Sequence, residues 1–297
     1  MTTPPPLHPG RDPGDNWAYA ADGTRYWGAF GAAGLLAHDA ERGVLLQHRA
    51  AWSHHGDTWG IPGGALHRGE GPLDGALREA AEEAQVPAGA LLPRATHLLD
   101  HDVWTYTTLV ADVASPFEPV AADAESLALA WVPVDRVADL PLHPGFGASW
   151  PLLQEALREH PVVVVDMANV VGSVPDGWWR DRRGAAERLL GRLARLRTAG
   201  VASDRLGLGL DAWFPRIIAV VEGQARGAQP RDGVETVAAP GAGDDEIVAQ
   251  ARSLGAAGAR VTVVTSDRGL AARLDGAAAV RGAGWLLEML DEVAPRQ

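Results

Sequence analysis

The chain has neither cysteine nor lysine. Without cysteine there are no disulfides, thiol nucleophiles, iron–sulfur clusters or cysteine-ligated zinc ribbons. Without lysine there is no P-loop of the Gly-Lys-Ser/Thr type and no Schiff-base chemistry. Long apolar runs are missing too, since none approaches the ~20 residues that a membrane helix needs. The first residues, Met1 to Asp15, are rich in proline and glycine and lack the apolar stretch of an export signal. A cytoplasmic location is expected.

What is present divides unevenly. All 26 basic residues are arginine, against 38 acids, for a formal charge of −12. Cut near Pro161, the first part carries 21 acids and 9 arginines, and the second carries 17 of each. All 10 histidines lie in the first part. Chemistry in the second part must therefore run on carboxylates, hydroxyls and arginine, and carboxylates alone bind hard cations such as Mg²⁺ or Mn²⁺. The acidic total speaks against a cationic nucleic-acid surface over the whole molecule, though not against a local one.

The length, 297 residues, fits two domains at ~100–200 residues each. Residues 1–24 are expected to form a disordered tail, 25–159 a first domain and 161–297 a second. In the first domain Gly34–His38, Val44–Gln47 and Trp104–Val110 are short apolar or alternating runs that predict strands. Pro72 suits the first position of a helix reaching about Gln85, and a later helix is expected over Trp150–Glu159. After Pro161 the pattern turns to alternating strands and helices. Val162–Val165, Ile217–Val221 and Val261–Thr265 are continuous apolar runs rich in β-branched residues, as in strands buried on both faces. Helical stretches follow at Arg183–Arg197, Asp245–Leu254, Gly269–Leu274 and Trp285–Glu292. This alternation implies an α/β fold with a parallel sheet, whose ligands gather beyond the carboxyl ends of the strands.

One spacing stands out. Gly64 is followed by five residues and Glu70, then by seven residues and Arg78-Glu79-Ala80-Ala81-Glu82-Glu83. On a helix Glu79, Glu82 and Glu83 share one face, where like charges destabilise one another and raise each other's pKa. A divalent cation would reverse both penalties; the alternative is a solvated acidic face. Glu70, on the loop before the helix, is placed to reach Arg78 and tie loop to helix. The six positions Gly64, Glu70, Arg78, Glu79, Glu82 and Glu83 resemble the Nudix box, and Trp59–Gly64 resembles that family's entry loop. Gln85 stands where the box has its final glycine, and Ala80 is smaller than the usual aliphatic residue.

The resemblance covers roughly residues 25–158. It implies an α/β/α sandwich with a mixed sheet and a hydrolase of nucleoside diphosphates linked to another moiety. Glu79, Glu82 and Glu83 would hold Mg²⁺ and serve catalysis, while Gly64, Glu70 and Arg78 shape the loop. Family members often take a further ligand or base from a later loop. Glu125 is the candidate here, or else an ordinary surface residue. His54 and His55 are weaker candidates for phosphate contact.

In the second domain carboxylates sit at strand ends and helix starts: Asp166 with Asn169, then Glu222, Asp244, Asp245 and Asp267. Each alone makes a sound helix cap or turn residue. Several converging on one sheet edge, in a domain without His, Cys or Lys, suggest a metal site. The set resembles the PIN-like family and its NYN ribonuclease-like branch. That resemblance implies Mg²⁺ or Mn²⁺ on Asp166, on Asp244 or Asp245, and on Asp267, with Asp166 catalytic. Glu222 is a less certain ligand, and Asn169 would orient a ligand or phosphate. Arg188, Arg192 and Arg195 share a helix face that could meet an RNA backbone or simply be solvated. Trp178 and Trp179 could stack bases or fill an interface.

The expected function is Mg²⁺-dependent pyrophosphohydrolysis by the first domain, with a PIN-like second domain acting on RNA. The alternatives are a regulatory protein whose first domain senses a nucleotide, and a second domain that is an inert interaction module.

Overall fold

The computed structural model describes residues 12–53, 55–87, 89–122, 126–175 and 177–293. The chain divides into two compact units between Leu157 and Arg158.

The first unit opens with a hairpin, β1 (Trp17–Tyr19) and β2 (Arg25–Trp27), followed by β3 (Ala32–Asp39) and β4 (Gly43–Arg49). Next come β5 (Trp59–Gly60), β6 (Gly63–Ala65) and helix α1 (Pro72–Ala84). The strands β7 (Leu91–Asp100), β8 (Thr105–Val113) and β9 (Ser126–Val132) and helix α2 (Pro144–Ala156) complete it. Within this unit the sheet runs β7-β8-β3-β4-β5, with β6 on β3 and β9 on β4. β3 and β8 run parallel, and the other neighbours antiparallel. Ala76, Ala80 and Ala84 of α1 are fully buried with Ala33, Leu35, Ala37, Leu109 and Ala111 of the sheet. The small Ala80 thus lets the helix lie close to the strands.

The structure adds strands that the sequence reading does not include, β5, β6 and β9 among them, and three further differences have clear causes. Residues 17–19, assigned there to the tail, form β1, where the Trp17 and Trp27 rings meet edge on at 5.2 Å and Arg25 lies 4.5 Å over Trp17. β7 escaped notice because Pro93 and Arg94 interrupt its apolar pattern. The structure accommodates the proline at a register shift between Pro93 and Ala95, where a ladder hydrogen bond is dispensable. Helix α2 begins at Pro144 rather than Trp150, because the His143 side chain accepts the Gly145 N–H and caps a glycine-rich first turn.

Arg94 is buried in β7. Its Nε donates to Asp112 Oδ2 at 2.9 Å, its Nη2 to Asp112 Oδ1, and its Nη1 to the Leu157 carbonyl at 2.6 Å. Burial would raise the Asp112 pKa, but hydrogen bonds from His38 and Arg94 outweigh it and hold the carboxyl below its usual range. Arg94→Ala removes one partner of a largely buried pair. Because Asp112 keeps some solvent, the expected loss is about 2–3 kcal/mol, just below the range for fully buried pairs. Urea unfolding of the first unit would read it, and an unshifted midpoint would show that the pair carries no stability.

The second unit contains β10 (Pro161–Asp166), α3 (Met167–Gly172), α4 (Arg182–Ala199), β11 (Val201–Ala202), α5 (Ser203–Leu206), β12 (Ala212–Trp213) and β13 (Arg216–Val221). β14 (Val234–Ala238), α6 (Gly243–Ala256), β15 (Arg260–Val264), α7 (Arg268–Arg273), β16 (Ala279–Arg281) and α8 (Ala283–Val293) follow. A five-stranded sheet of order β14-β13-β10-β15-β16 is parallel throughout. Val162, Val164, Ile218, Val220, Val261 and Val263 pack with Ile247, Val248 and Ala251 of α6 and Leu270 of α7. The alternate residues Val163, Val165, Ile217 and Ala219 are buried as well, which explains the unbroken apolar runs. From β10 the chain moves first to β13 on one side and later to β15 on the other. That reversal opens a crevice at the carboxyl end of β10. Among the described residues no helix is long and apolar enough to cross a membrane.

Candidate functional site

Pro72 occupies the first turn of α1, where its missing N–H costs nothing, and Gly71 before it is extended. At the other end Gln85 adopts the left-handed conformation, with φ 51° and ψ 37°, and the Val86 N–H closes onto the Ala80 carbonyl at 3.2 Å. The turn that glycine normally makes is therefore kept by glutamine, at a cost of about 1 kcal/mol.

Arg78 organises the loop and the acidic face. Its Nε and Nη2 donate to the two Glu70 oxygens at 2.8 and 3.0 Å, and Nη2 also donates to the Ala65 carbonyl at 2.9 Å. Glu70 in turn accepts the His67 N–H at 2.9 Å. The Arg78 side-chain bonds to Glu70 lower the Glu70 pKa and raise that of Arg78. Nη1 of Arg78 turns to the helix and donates to Glu79 at 2.7 Å and to Glu82 at 3.3 Å.

The three helix carboxylates have different surroundings. Glu82 is exposed. Glu83 is buried, and its Oε2 accepts the Gly63 N–H at 2.9 Å. Glu79 lies over Gly64, where any Cβ would come within 2.6 Å of the carboxylate. Burial raises the Glu79 pKa against the lowering effect of Arg78, and Glu82 and Asp15 raise it further. Asp15 was missed because it falls in the segment read as tail.

The donor set is oxygen only, which suits a hard divalent cation. Among the described residues no three such side chains converge at metal-binding distances. Arg78 stands between Glu79 and Glu82 as their counter-charge, and Glu83 is engaged by backbone. Glu125 and His54 lie outside the described residues. His55 sits edge on to His143, with ring centroids 4.8 Å apart.

In the second unit the crevice at the β10 end holds a cavity of about 180 Å³. Asp166, Asn169, Glu222, Gly243, Asp244 and Asp267 are among the residues lining it. Asp166 caps α3 by accepting the Asn169 N–H at 3.0 Å, and its other oxygen accepts the Thr265 hydroxyl at 2.8 Å. Thr265 Oγ1 also accepts the Asp267 N–H at 3.1 Å, so one hydroxyl links two carboxylate-bearing segments. Asn169 Oδ1 accepts the Ser266 N–H at 2.8 Å. Asp267 caps α7 through Gly269 and Leu270, and Glu222 accepts the Gly243 N–H at 2.8 Å. Burial raises the Asp166 pKa, and Asp244 and Glu222 add to it.

Between the two candidates Asp244 and Asp245, the geometry separates their roles. Asp244 lines the cavity. Asp245 instead pairs with Arg273 of α7, one helix position away and facing out. Thr265 was not picked out because it reads as the last residue of a strand. Of the arginines on α4, Arg192 pairs with Asp291 and Arg183 with Glu187, while Arg195 is exposed. Arg182 lies 5.5 Å over the Trp178 ring, and Trp179 is exposed.

The family model described as the NUDIX domain matches residues 29–154. A Mycobacterium tuberculosis protein provisionally named 8-oxo-dGTP diphosphatase 3 is 47% identical over 166 residues, which span 52% of this chain and 76% of that protein. A Bifidobacterium longum protein named as a nucleoside triphosphate pyrophosphatase/Nudix hydrolase fusion is 41% identical over 163 residues, spanning 52% of this chain and 34% of that protein. The crystal structure of a Nudix hydrolase from M. smegmatis, RenU, is 48% identical, covers 48% of this chain and 95% of that one, and gives a TM-score of 0.45. Through residues 29–154, this chain belongs to the Nudix hydrolases and is an enzyme acting on pyrophosphate bonds.

Proposed function

We propose that the first unit hydrolyses a nucleoside diphosphate linked to a further moiety, with Mg²⁺ or Mn²⁺ held by Glu79, Glu82 and Glu83. One observation carries this reading: three carboxylates lie on one turn of α1, two of them seated on the Gly63–Gly64 backbone. When bound, the cation neutralises the diphosphate and favours attack of water at phosphorus. The chain's own residues do the rest. Arg78, anchored by Glu70 and the Ala65 carbonyl, keeps the entry loop against the helix. It also offsets the repulsion between Glu79 and Glu82 before a cation arrives.

The name carried by the M. tuberculosis relatives makes an oxidised purine nucleoside triphosphate the first substrate to test. Phosphorus NMR with 8-oxo-dGTP, ordinary nucleoside triphosphates and nucleoside diphosphates joined to sugars would follow the reaction. With Mg²⁺, resonances of a nucleoside monophosphate and its partner product are expected. Binding without conversion of any compound would favour a nucleotide sensor instead.

For the second unit the cavity favours a PIN-like, NYN-type ribonuclease using Mg²⁺ or Mn²⁺. Asp166, Asp244 and Asp267 would be ligands, with Glu222 beside them. Asn169 is engaged with the Ser266 backbone, which suits it to hold the loop carrying Asp267 in place.

A further inference from the structure

Strand β3 is paired with β8 in one register and with β6 in another. Ala32 stands opposite Tyr106, and Gly34 opposite Gly63. Because side chains alternate along a strand, Tyr106, Gly34 and Gly63 belong to one face of the sheet. Ala33 and Gly64 belong to the other, on which α1 packs.

The phenol end of Tyr106 fills space that two missing side chains leave. A Cβ on Gly34 would lie 2.1 Å from the Tyr106 hydroxyl oxygen, and one on Gly63 would lie 2.9 Å from it. The same Gly63 gives its N–H to Glu83, and Gly64 next to it receives the Glu79 carboxylate on the opposite face. These glycines thin the sheet into a window, with the helix carboxylates on one side and the tyrosine hydroxyl on the other. No described residue accepts the Tyr106 proton or donates to its oxygen. Burial raises the phenol's pKa, and Glu83 and Glu79 raise it further against Arg49. The hydroxyl therefore stays protonated and is a standing donor beside the acidic face.

We propose that Tyr106 is a catalytic residue of the hydrolase, its hydroxyl donating a hydrogen bond to a phosphate oxygen of the bound diphosphate. The inference rests on the reading of Glu79, Glu82 and Glu83 as the site. A diphosphate that passes the Gly63 edge meets like charge from the carboxylates on one side, and the neutral Tyr106 donor on the other side helps hold it. Such a donor has its largest effect where negative charge grows during reaction, so it acts on turnover more than on ground-state binding.

The test compares wild type, Tyr106→Phe and Glu83→Gln, using the panel nucleotide that wild type hydrolyses fastest, at saturating Mg²⁺. Tyr106→Phe should lower kcat about 10-fold or more, with KM within about twofold, as for loss of one donor to the reacting group. Its thermal midpoint should be unchanged or higher, since the lost hydroxyl leaves no protein group unpaired. A kcat within twofold of wild type, beside an inactive Glu83→Gln, overturns the role of Tyr106 and leaves the site standing. A fall in kcat accompanied by a lower thermal midpoint also overturns it, in favour of packing. Wild-type turnover in Glu83→Gln, or no hydrolysis of any panel nucleotide, overturns the underlying site and the inference with it.

Discussion

Glu83→Gln should lower turnover by about 10²-fold or more while nucleotide affinity changes little. The substitution is close to isosteric. Its amide oxygen can still accept the Gly63 N–H, so the loop and the buried end of the helix keep their geometry. What disappears is one negative charge from a site that must neutralise and position a diphosphate. Charge at such a site acts mainly on the transition state, so kcat should fall far more than affinity. Steady-state kinetics at saturating Mg²⁺, with circular dichroism to confirm folding, would read both. Near-wild-type turnover would remove Glu83 from the site.

Asp166→Asn should abolish cleavage of single-stranded RNA by the second unit and leave nucleotide hydrolysis by the first unchanged. Asp166 is buried at the centre of the sheet edge, and Asp244 and Glu222 lie close enough to raise its pKa. A carboxylate whose pKa is raised in the folded state is penalised there when ionised. Without metal, stability should therefore rise as pH falls through the raised value toward the ordinary carboxylate range, and be lowest once the group is ionised. Asparagine removes that penalty, and its oxygen can still accept the Asn169 N–H. In EDTA the variant should be as stable as wild type or slightly more so, although its metal affinity is reduced. Two results count against the assignment. Wild-type protein that cleaves no RNA with any divalent metal would point to a binding module. Cleavage that survives in Asp166→Asn would point to a contaminant.

Much of the chemistry was local enough to be read directly. Residues 78–83 place three carboxylates on one helical turn whatever surrounds them, because the helix period alone sets their spacing. The absence of His, Cys and Lys after Pro161 limits that unit to the chemistry of carboxylates, hydroxyls and arginine. The β-branched runs at Val162–Val165 and Ile217–Val221 declared a sheet covered on both faces, since only such burial tolerates them. Irregular elements were harder. β7 hides behind Pro93 and Arg94, and the capped start of α2 behind two glycines.

Sequence by itself thus determined the kind of chemistry available: which residues are acidic, how far apart they lie along one helix, and which turns they border. Tertiary structure alone decided which partners each acid meets. Thr265 reaches Asp166 across 99 residues of sequence, and Asp244, not its neighbour, turns into the cavity. Gly34 and Gly63 come together only because β6 folds back onto β3, and only then is there room for the Tyr106 hydroxyl. The physical reason is the same in each case. Local spacing fixes direction along one element, whereas a proton's partner or a carboxylate's burial depends on strands paired far away in the chain.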